Sequence, residues 1–122
     1  IDWDAGPDRE DDRGPYRQSA RSARYAEGFA ALERDGRAYP CWCTPEELEL
    51  SRRAQAAAGR PPRYAGTCTR LSDEERAARR ASGRPATLRF RVPADGEVAF
   101  DDLVRGPQRF AAAELGDFVI RR

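Results

Sequence analysis

The residue types best suited to chemistry in this 122-residue chain are three cysteines and one tyrosine. Cys41 and Cys43 are separated by a single residue, and Tyr64 precedes Cys68 by four positions. Side chains at i and i+2 of an extended strand point to the same face, so the first two sulfurs can converge on one ion. A helical turn after Tyr64 would place its phenol beside the third sulfur. Three thiolates and one oxygen complete the tetrahedral shell of Zn²⁺ with no open position, which predicts a structural rather than a catalytic metal site.

The same residues also have an interpretation without a metal. Cys41 and Cys43 can serve as small buried hydrophobic side chains, with Cys68 incidental and Tyr64 a core aromatic. A phenol has a pKa of about 10 and binds only where a metal lowers that value. An odd number of cysteines excludes a complete set of internal disulfides, and Cys41 and Cys43 are too close together to bridge comfortably. A reduced, intracellular setting with a bound metal is therefore the favoured interpretation.

The composition excludes several other classes of site. The chain has no histidine, which rules out Ser-His-Asp triads, Cys-His nucleophile pairs and imidazole metal ligands. It has no glycine-rich phosphate loop of the Walker or dinucleotide-binding type, and no apolar run approaches the roughly 20 residues of a membrane span. Residues 1–12 hold six acids and one arginine, so the positive charge lies in residues 13–122. That basic part can meet an anionic partner or form a solvated surface of ion pairs.

The elements that must position the cysteines are three helices and an extended segment. Thr44 and Ser72 each open a capping box, with a glutamate three residues later. Glycines follow the apolar periodicity at the expected helix ends. The pattern predicts helices over residues 18–35, 44–58 and 72–82, and an extended segment over residues 37–43.

Strand patterns dominate the last third of the chain. Leu88 and Phe90 alternate with arginines at positions 89 and 91, which predicts a half-buried strand with its apolar side chains inward and Arg89 outward. Asp95 and Gly96 form a hairpin-turn signal and predict a returning strand over residues 97–100. Short strands are also expected at residues 1–3 and 118–120. Helices followed by strands indicate an α+β arrangement.

Seven segments together resemble one protein family, the glutamyl-tRNA synthetases, which are class I aminoacyl-tRNA ligases. In chain order they read DWDAGPD (residues 2–8), GPYRQSARSARY (14–25), GRAYPCWCTPEEL (36–48), GRPPRYAGTCTRLS (59–72), LRFRVP (88–93), FDDLVRG (100–106) and LGDFVIRR (115–122). They follow the family's order and cover nearly the whole chain, so the joint match is highly specific.

The resemblance implies a fold and a place within a larger protein. The parent would be an α/β protein with a Rossmann-like class I catalytic domain, and this chain mostly an α+β insertion with a small zinc-binding loop. Residues 1–36 would belong to the nucleotide-binding half, residues 37–116 to the inserted domain that grips the tRNA acceptor arm, and residues 117–122 to the return into the catalytic domain. The family's two ATP-binding signatures and its glutamate-binding residues are missing. No catalytic residue is therefore expected in this segment, and the segment alone is expected to be inactive.

The resemblance also bears on the metal site. Bacterial members often hold zinc in the insertion through a Cys-x-Cys pair and a later cysteine in a Tyr-x-x-x-Cys run, which implies Cys41, Cys43 and Cys68 as ligands. Some members use a histidine two residues after the last cysteine, but Arg70 stands there and its guanidinium cannot ligate. A related enzyme that glutamylates queuosine in tRNA-Asp uses the tyrosine of that run, which implies Tyr64 as the fourth ligand.

The implied activity is the attachment of L-glutamate to tRNA-Glu by a monomeric cytoplasmic enzyme that uses ATP with Mg. This segment would position the tRNA acceptor end, because arginines can contact the phosphates and 2′-hydroxyls of an A-form stem. The candidate RNA-binding residues flank the zinc loop: Arg52, Arg53, Arg60, Arg63 and Arg70. Two alternatives stay open, a glutamyl-queuosine tRNA-Asp synthetase and a non-catalytic zinc module that binds RNA. The long spacer between Cys43 and Tyr64 is typical of full glutamyl-tRNA synthetases and favours the first interpretation.

Overall fold

The chain divides into two compact units, residues 1–35 and residues 36–122. The computed structural model describes residues 4–9 and 11–122, so the strand expected at residues 1–3 lies outside the described residues. None of the helices in the described ranges has the length and apolar character needed to cross a membrane.

The first unit consists of a turn-rich segment followed by one helix. In the turn-rich part, the Asp11 carboxylate accepts hydrogen bonds from the Tyr16 hydroxyl and the Arg13 guanidinium, which lower the pKa of Asp11. A 3₁₀ turn over Gln18–Arg21 leads into helix α1, Ser22–Arg34. The predicted first helix is confirmed, and its first turn is tightened into 3₁₀ geometry.

The second unit, all of which is described, mixes antiparallel strands with helices. Its elements in chain order are β1 (Ala38–Cys41), α2 (Pro45–Ala57), α3 (Asp73–Ala81), β2 (Thr87–Phe90), β3 (Glu97–Asp102), β4 (Gly106–Ala111), α4 (Ala112–Leu115) and β5 (Phe118–Arg121). The predicted capping boxes are confirmed, since Thr44 and Ser72 each exchange hydrogen bonds with the glutamate three residues later. The helices therefore begin where the sequence predicts, because the caps satisfy backbone donors that would otherwise lack partners.

A three-stranded antiparallel sheet holds the second unit together. Its strand order is β1-β2-β5, so β2 is the central strand. In the register between β1 and β2, Tyr39 lies opposite Arg89 and Cys41 lies opposite Thr87. Residues that face one another in register share a face of the sheet, so these four side chains lie on the same face.

The predicted hairpin at Asp95 and Gly96 is wrong. The strand that follows this turn, β3, pairs with β4 in a separate two-stranded sheet and not with β2. Both edges of β2 are already occupied by β1 and β5, so no edge is left for β3. The actual hairpin turn follows Asp102, whose carboxylate accepts the backbone N–H groups of Val104 and Arg105 at 2.8 Å each. Such a side-chain turn is a recognised alternative to an Asp-Gly pair.

The orientation predicted for Arg89 is also wrong. Leu88 is 1% exposed and Arg89 is 7% exposed, so neighbouring residues on opposite faces of β2 are both buried. Alternation predicts an exposed face only where one side of a sheet meets solvent. Here the Tyr64 ring covers the Arg89 guanidinium, at 3.9 Å from Cζ to the ring centroid. The arginine therefore points toward the cysteine side of the sheet, inside the protein.

Candidate metal centre

The end of β1 carries the first two cysteines into the core. β1 ends at Cys41, two residues before the predicted end of the extended segment, and the chain passes through the buried Trp42 to Cys43. Two side chains bind the carbonyls of this stretch: Thr87 Oγ1 donates to Cys41 O and Arg84 Nη1 donates to Trp42 O, each at 3.3 Å. These bonds anchor the Cys-x-Cys segment to the neighbourhood of β2.

The loop that carries Tyr64 is held against helix α2 by Gln55. The Gln55 amide donates to Arg63 O at 2.8 Å and accepts from Arg63 N at 3.0 Å. This reciprocal pair fixes the backbone immediately before Tyr64, in the way that a strand neighbour would. Gln55 is not among the residues that the sequence pattern indicates. Only the folded loop brings both backbone groups of Arg63 to this side chain, which also contacts Ser51 within α2.

A left-handed glycine then turns the chain so that Cys68 meets Tyr64. Gly66 has φ +69°, and a Cβ built there would lie 3.2 Å from Thr69 Oγ1. Any residue other than glycine would therefore be strained at position 66. The 3₁₀ turn Thr67–Thr69 follows, and Cys68 N donates to Tyr64 Oη at 2.8 Å. The expected helical turn between the two residues is replaced by a loop and a 3₁₀ turn, but the phenol still reaches the third cysteine.

The structure brings the three cysteines and the tyrosine together. The three sulfurs all lie within 4.8 Å of one another, and Cys43 Sγ lies 3.6 Å from Cys68 Sγ. Tyr64 Oη is 3.4 Å from Cys41 Sγ and 3.6 Å from Cys43 Sγ. These residues form the packed core of the unit together with Tyr39, Trp42 and Leu71.

The separations fit a four-coordinate zinc ion. With Zn–S and Zn–O distances of about 2.3 and about 2.0 Å, a tetrahedral shell has ligand edges of about 3.8 Å between sulfurs and about 3.5 Å between sulfur and oxygen. The distances within the cluster lie close to these edges, and the widest possible sulfur pair must close by only about 1 Å. These separations are compatible with one metal ion between Cys41, Cys43, Cys68 and Tyr64.

Burial and close contact perturb the ionisable groups in this cluster in opposite directions. Burial raises the pKa of the Cys41 thiol, but hydrogen bonds with Tyr64 and Arg89 outweigh it and lower the pKa overall. Burial raises the pKa of Cys43, and the nearby Cys41 raises it further. Burial and contacts with Cys41 and Cys68 also raise the pKa of Tyr64. A coordinated divalent ion would favour the deprotonated form of every ligand, because its charge is the largest in the site.

An open groove of about 1380 Å³ lies beside the metal-ligand candidates in the second unit and includes Cys43 and Tyr64 in its wall. Its acidic lining consists of Glu47, Glu49, Glu114 and Asp117. Its basic lining consists of Arg52, Arg63, Arg79, Arg84, Arg89 and Arg122. Six arginines against four carboxylates give the groove a positive balance, which suits an anionic ligand.

Two of the five arginines selected from the sequence line this groove. Arg52 and Arg63 line the groove, whereas Arg53, Arg60 and Arg70 are absent from its lining. Arg53 instead forms a 2.9 Å ion pair with Glu49, and the Arg70 guanidinium donates to Ala65 O at 2.8 Å. Four other arginines of the groove, at positions 79, 84, 89 and 122, were not predicted from the sequence. The composition shows many arginines, but which of them line one groove depends on how α3, β2 and β5 pack.

The whole chain, residues 1–122, matches the family model described as tRNA synthetases class I (E and Q), catalytic domain. The chain belongs to this family. It is 61% identical over all 122 residues to "Glutamate--tRNA ligase 2" of Alkalilimnicola ehrlichii and 53% identical to "Glutamate--tRNA ligase 2" of Nitrosococcus oceani, and it covers 26% of each of these proteins. The resemblance to the glutamyl-tRNA synthetases inferred from the seven sequence segments is confirmed.

Solved structures of this synthetase family have the same fold. A crystal structure of a glutamate tRNA ligase from Elizabethkingia meningosepticum in complex with its amino acid matches with a TM-score of 0.79 and 27% sequence identity. The match covers 96% of this chain and 25% of that one. A glutamate-tRNA synthetase from Elizabethkingia anophelis matches equally well. The chain thus has the fold of part of a class I synthetase catalytic domain and spans about a quarter of the length of its relatives.

Proposed function

We propose that the protein containing this chain is a glutamate–tRNA ligase, which joins L-glutamate to tRNA-Glu at the expense of ATP, with Mg, in the cytoplasm. The observation that carries the proposal is the 61% identity over the complete chain to a relative named glutamate–tRNA ligase. The alternative enzyme, which modifies queuosine in tRNA-Asp, is not favoured, because the matched relatives and solved structures bear the glutamate–tRNA ligase name. We further propose that the enzyme is a monomer.

Within that enzyme, the chain would connect the two halves of the nucleotide-binding fold through an inserted domain. We propose that residues 1–36 end the first half, residues 37–116 form the insertion, and residues 117–122 return to the catalytic domain. The sheet supports this arrangement, because β1 at the start of the insertion and β5 just after its end both pair with β2, which brings the two ends of the insertion into one sheet. An insertion with neighbouring ends can be accommodated without distorting its host domain.

The proposed contribution of the second unit is to position the RNA rather than to make or break bonds. An acceptor stem presents phosphates and 2′-hydroxyls, which guanidinium groups contact through paired N–H donors. The groove offers arginines from three directions: Arg52 from α2, Arg63 from the loop and Arg84 from the segment before β2. Holding the ribose of the acceptor end in a fixed place lowers the entropic part of the barrier to acyl transfer.

We propose that Zn²⁺ binds between Cys41, Cys43, Cys68 and Tyr64. When bound, the metal supplies cross-links and no Lewis-acid chemistry, because four protein ligands leave no coordination position open. The four ligands then fix the loop around residue 64 against the end of β1. Since Cys43 and Tyr64 also belong to the wall of the groove, this cross-link would keep that wall rigid.

A matched pair of arginines on α2 tests the groove as the RNA surface. Arg52 and Arg53 both approach Glu49, but only Arg52 lines the groove. Arg52→Gln is expected to weaken tRNA binding about fivefold at low salt, because one phosphate contact is lost, and to reduce the slope of log Kd against log salt by about 1. Arg53→Gln is the control and should change both quantities less. Filter binding over a salt series measures them, and equal effects of the two substitutions would contradict the assignment of the groove.

The proposed activity is tested with the full-length gene product and radiolabelled glutamate. We expect ATP-dependent attachment of glutamate to tRNA-Glu, with an ATP-free reaction as the control. Glutamate transfer to tRNA-Asp without transfer to tRNA-Glu would identify the queuosine-modifying enzyme instead. Binding of RNA with no transfer to any tRNA would identify a non-catalytic zinc module. Either of these results would overturn the proposal.

A further inference from the structure

We infer that Arg89 is a positioning residue of the proposed zinc centre: its buried guanidinium holds the Tyr64 phenol against the three sulfurs and balances the negative charge of the bound metal complex. This inference rests on the proposed zinc site and adds a residue that no ligand motif contains. Three observations support it: the sheet places Arg89 on the side of the cysteines, the guanidinium contacts the Tyr64 ring, and it has no carboxylate partner among the described residues.

The sheet register puts Arg89 on the metal side. Arg89 lies opposite Tyr39, two residues along β1 from Cys41, so the arginine and the cysteine project from the same face as diagonal neighbours. On that face the Arg89 Cζ lies 3.9 Å from the centroid of the Tyr64 ring. A guanidinium at this distance stacks on the ring and restricts its position. The phenol oxygen at the other end of the same ring meets Cys41 and Cys43.

The arginine is buried without a carboxylate partner. Arg89 is 7% exposed, and its guanidinium donates to Asp117 O at 3.1 Å and contacts the Cys41 thiol, but within the described ranges it forms no ion pair. Its Nε has no hydrogen-bonding partner among the described residues. The Asp117 carboxylate is engaged elsewhere, since it accepts from Val92 N and from the Tyr39 hydroxyl. An unpaired buried charge is costly, so a negative partner other than a carboxylate is expected nearby.

The metal complex supplies that negative charge. Three thiolates around one divalent ion carry one net negative charge, and an ionised phenol adds a second. No other arginine takes part in a ring contact with Tyr64 among the described residues. Arg89 is therefore placed to offset the charge of the complex while it fixes the orientation of the oxygen ligand. Groups behind the ligands that orient them in this way typically change metal affinity about 10- to 100-fold when removed.

The test uses zinc affinity and the visible spectrum of the cobalt-substituted full-length protein. Arg89→Met is expected to weaken zinc binding about 10- to 100-fold in competition with a chromophoric chelator. It should also shift the cobalt d–d bands toward those of Tyr64→Phe, because the oxygen ligand is no longer held. Arg89→Lys keeps the charge but loses the planar stack. Its zinc affinity should therefore lie between those of Arg89→Met and the wild type, whereas its cobalt d–d bands should stay close to those of Arg89→Met. In a Tyr64→Phe background, Arg89→Met should reduce zinc affinity by a smaller factor than it does in the wild type.

Arg91→Met is the matched control. Arg91 also lies over a tyrosine ring, at 5.1 Å from Tyr39, but it is exposed and is not placed against Tyr64. This variant should leave both zinc affinity and the cobalt spectrum unchanged.

If circular dichroism shows that Arg89→Met does not fold, Arg89→Lys tests the inference instead. An unchanged zinc affinity and cobalt spectrum in Arg89→Lys would overturn the inference. A wild-type protein that holds zinc while all Arg89 variants bind it normally refutes only the role of Arg89, whereas a folded wild type without zinc refutes the metal site itself.

Discussion

Replacing Cys68 with serine is expected to remove zinc from the purified full-length protein, from about one equivalent to less than about a tenth. Cys68 is 2% exposed, and its sulfur lies 3.6 Å from that of Cys43 across 25 residues of chain. It is the one metal-ligand candidate that the 3₁₀ turn Thr67–Thr69 contributes. A hydroxyl is a poor substitute for a thiolate on Zn²⁺, so the loop would lose its cross-link to β1. Elemental analysis of the purified protein measures the zinc content.

The same substitution is also expected to raise the susceptibility of residues 59–71 to proteolysis, because the ordering of that loop depends on the cross-link. Thr67→Ser is the matched control: it introduces the same side chain one residue earlier, at an exposed position. This control should retain both the zinc and the resistance to protease. Full zinc occupancy in a folded Cys68→Ser protein would contradict the ligand assignment, and loss of zinc in Thr67→Ser would show that the turn rather than the thiol is responsible.

Leu88→Ala is expected to destabilise the sheet of the second unit by about 2–5 kcal/mol. Leu88 is 1% exposed in the central strand, opposite Pro40 on β1 and Arg121 on β5. Truncation leaves a cavity that a strand paired on both sides cannot close. Hydrogen exchange of the β1 and β2 amides measures the effect, since about 2 kcal/mol corresponds to roughly 30-fold faster exchange.

Leu103→Ala provides the comparison for this prediction, because the Leu103 side chain is fully exposed after the end of β3. Its effect should stay within about 0.5 kcal/mol. Similar exchange rates for the two variants would mean that Leu88 does not carry the packing assigned to it. A loss of zinc in Leu88→Ala would show further that the sheet and the cysteine cluster unfold together.

Local signals in the sequence were sufficient for the helices and for the identity of the metal-ligand candidates. Thr44 and Ser72 start helices because each cap bonds to atoms only three residues away. The Cys-x-Cys spacing is likewise a local signal, because two residues at i and i+2 of an extended segment share a face without any tertiary contact. The convergence of Cys68 and Tyr64 on that pair was predicted, but the loop with Gly66 and its 3₁₀ turn, rather than a helical turn, achieves it.

Strand pairing was decided by the tertiary structure alone. Asp95 and Gly96 are a sound local turn signal, yet a hairpin also requires a free strand edge, and both edges of β2 are taken by β1 and β5. Residues 38–41, 87–90 and 118–121 are far apart in sequence, so no local pattern states which of them are neighbours. The alternation that predicted an exposed Arg89 failed for the same reason: it assumes one open face, and the Tyr64 ring closes that face.

The amino-acid sequence by itself determined the residue types: cysteines and a tyrosine that suit zinc, no histidine for catalysis, arginine as the only cation, and segments that place the chain among class I synthetases. Only the tertiary structure decided which groups meet. It gathered the ligand candidates into one cluster, placed two of the five selected arginines in the lining of the groove, and buried Arg89 against Tyr64. The physical reason is the sequence separation of the interacting residues. Helix caps and the Cys-x-Cys spacing involve residues only a few positions apart, whereas burial and charge pairing depend on contacts between distant segments that meet only when the chain folds.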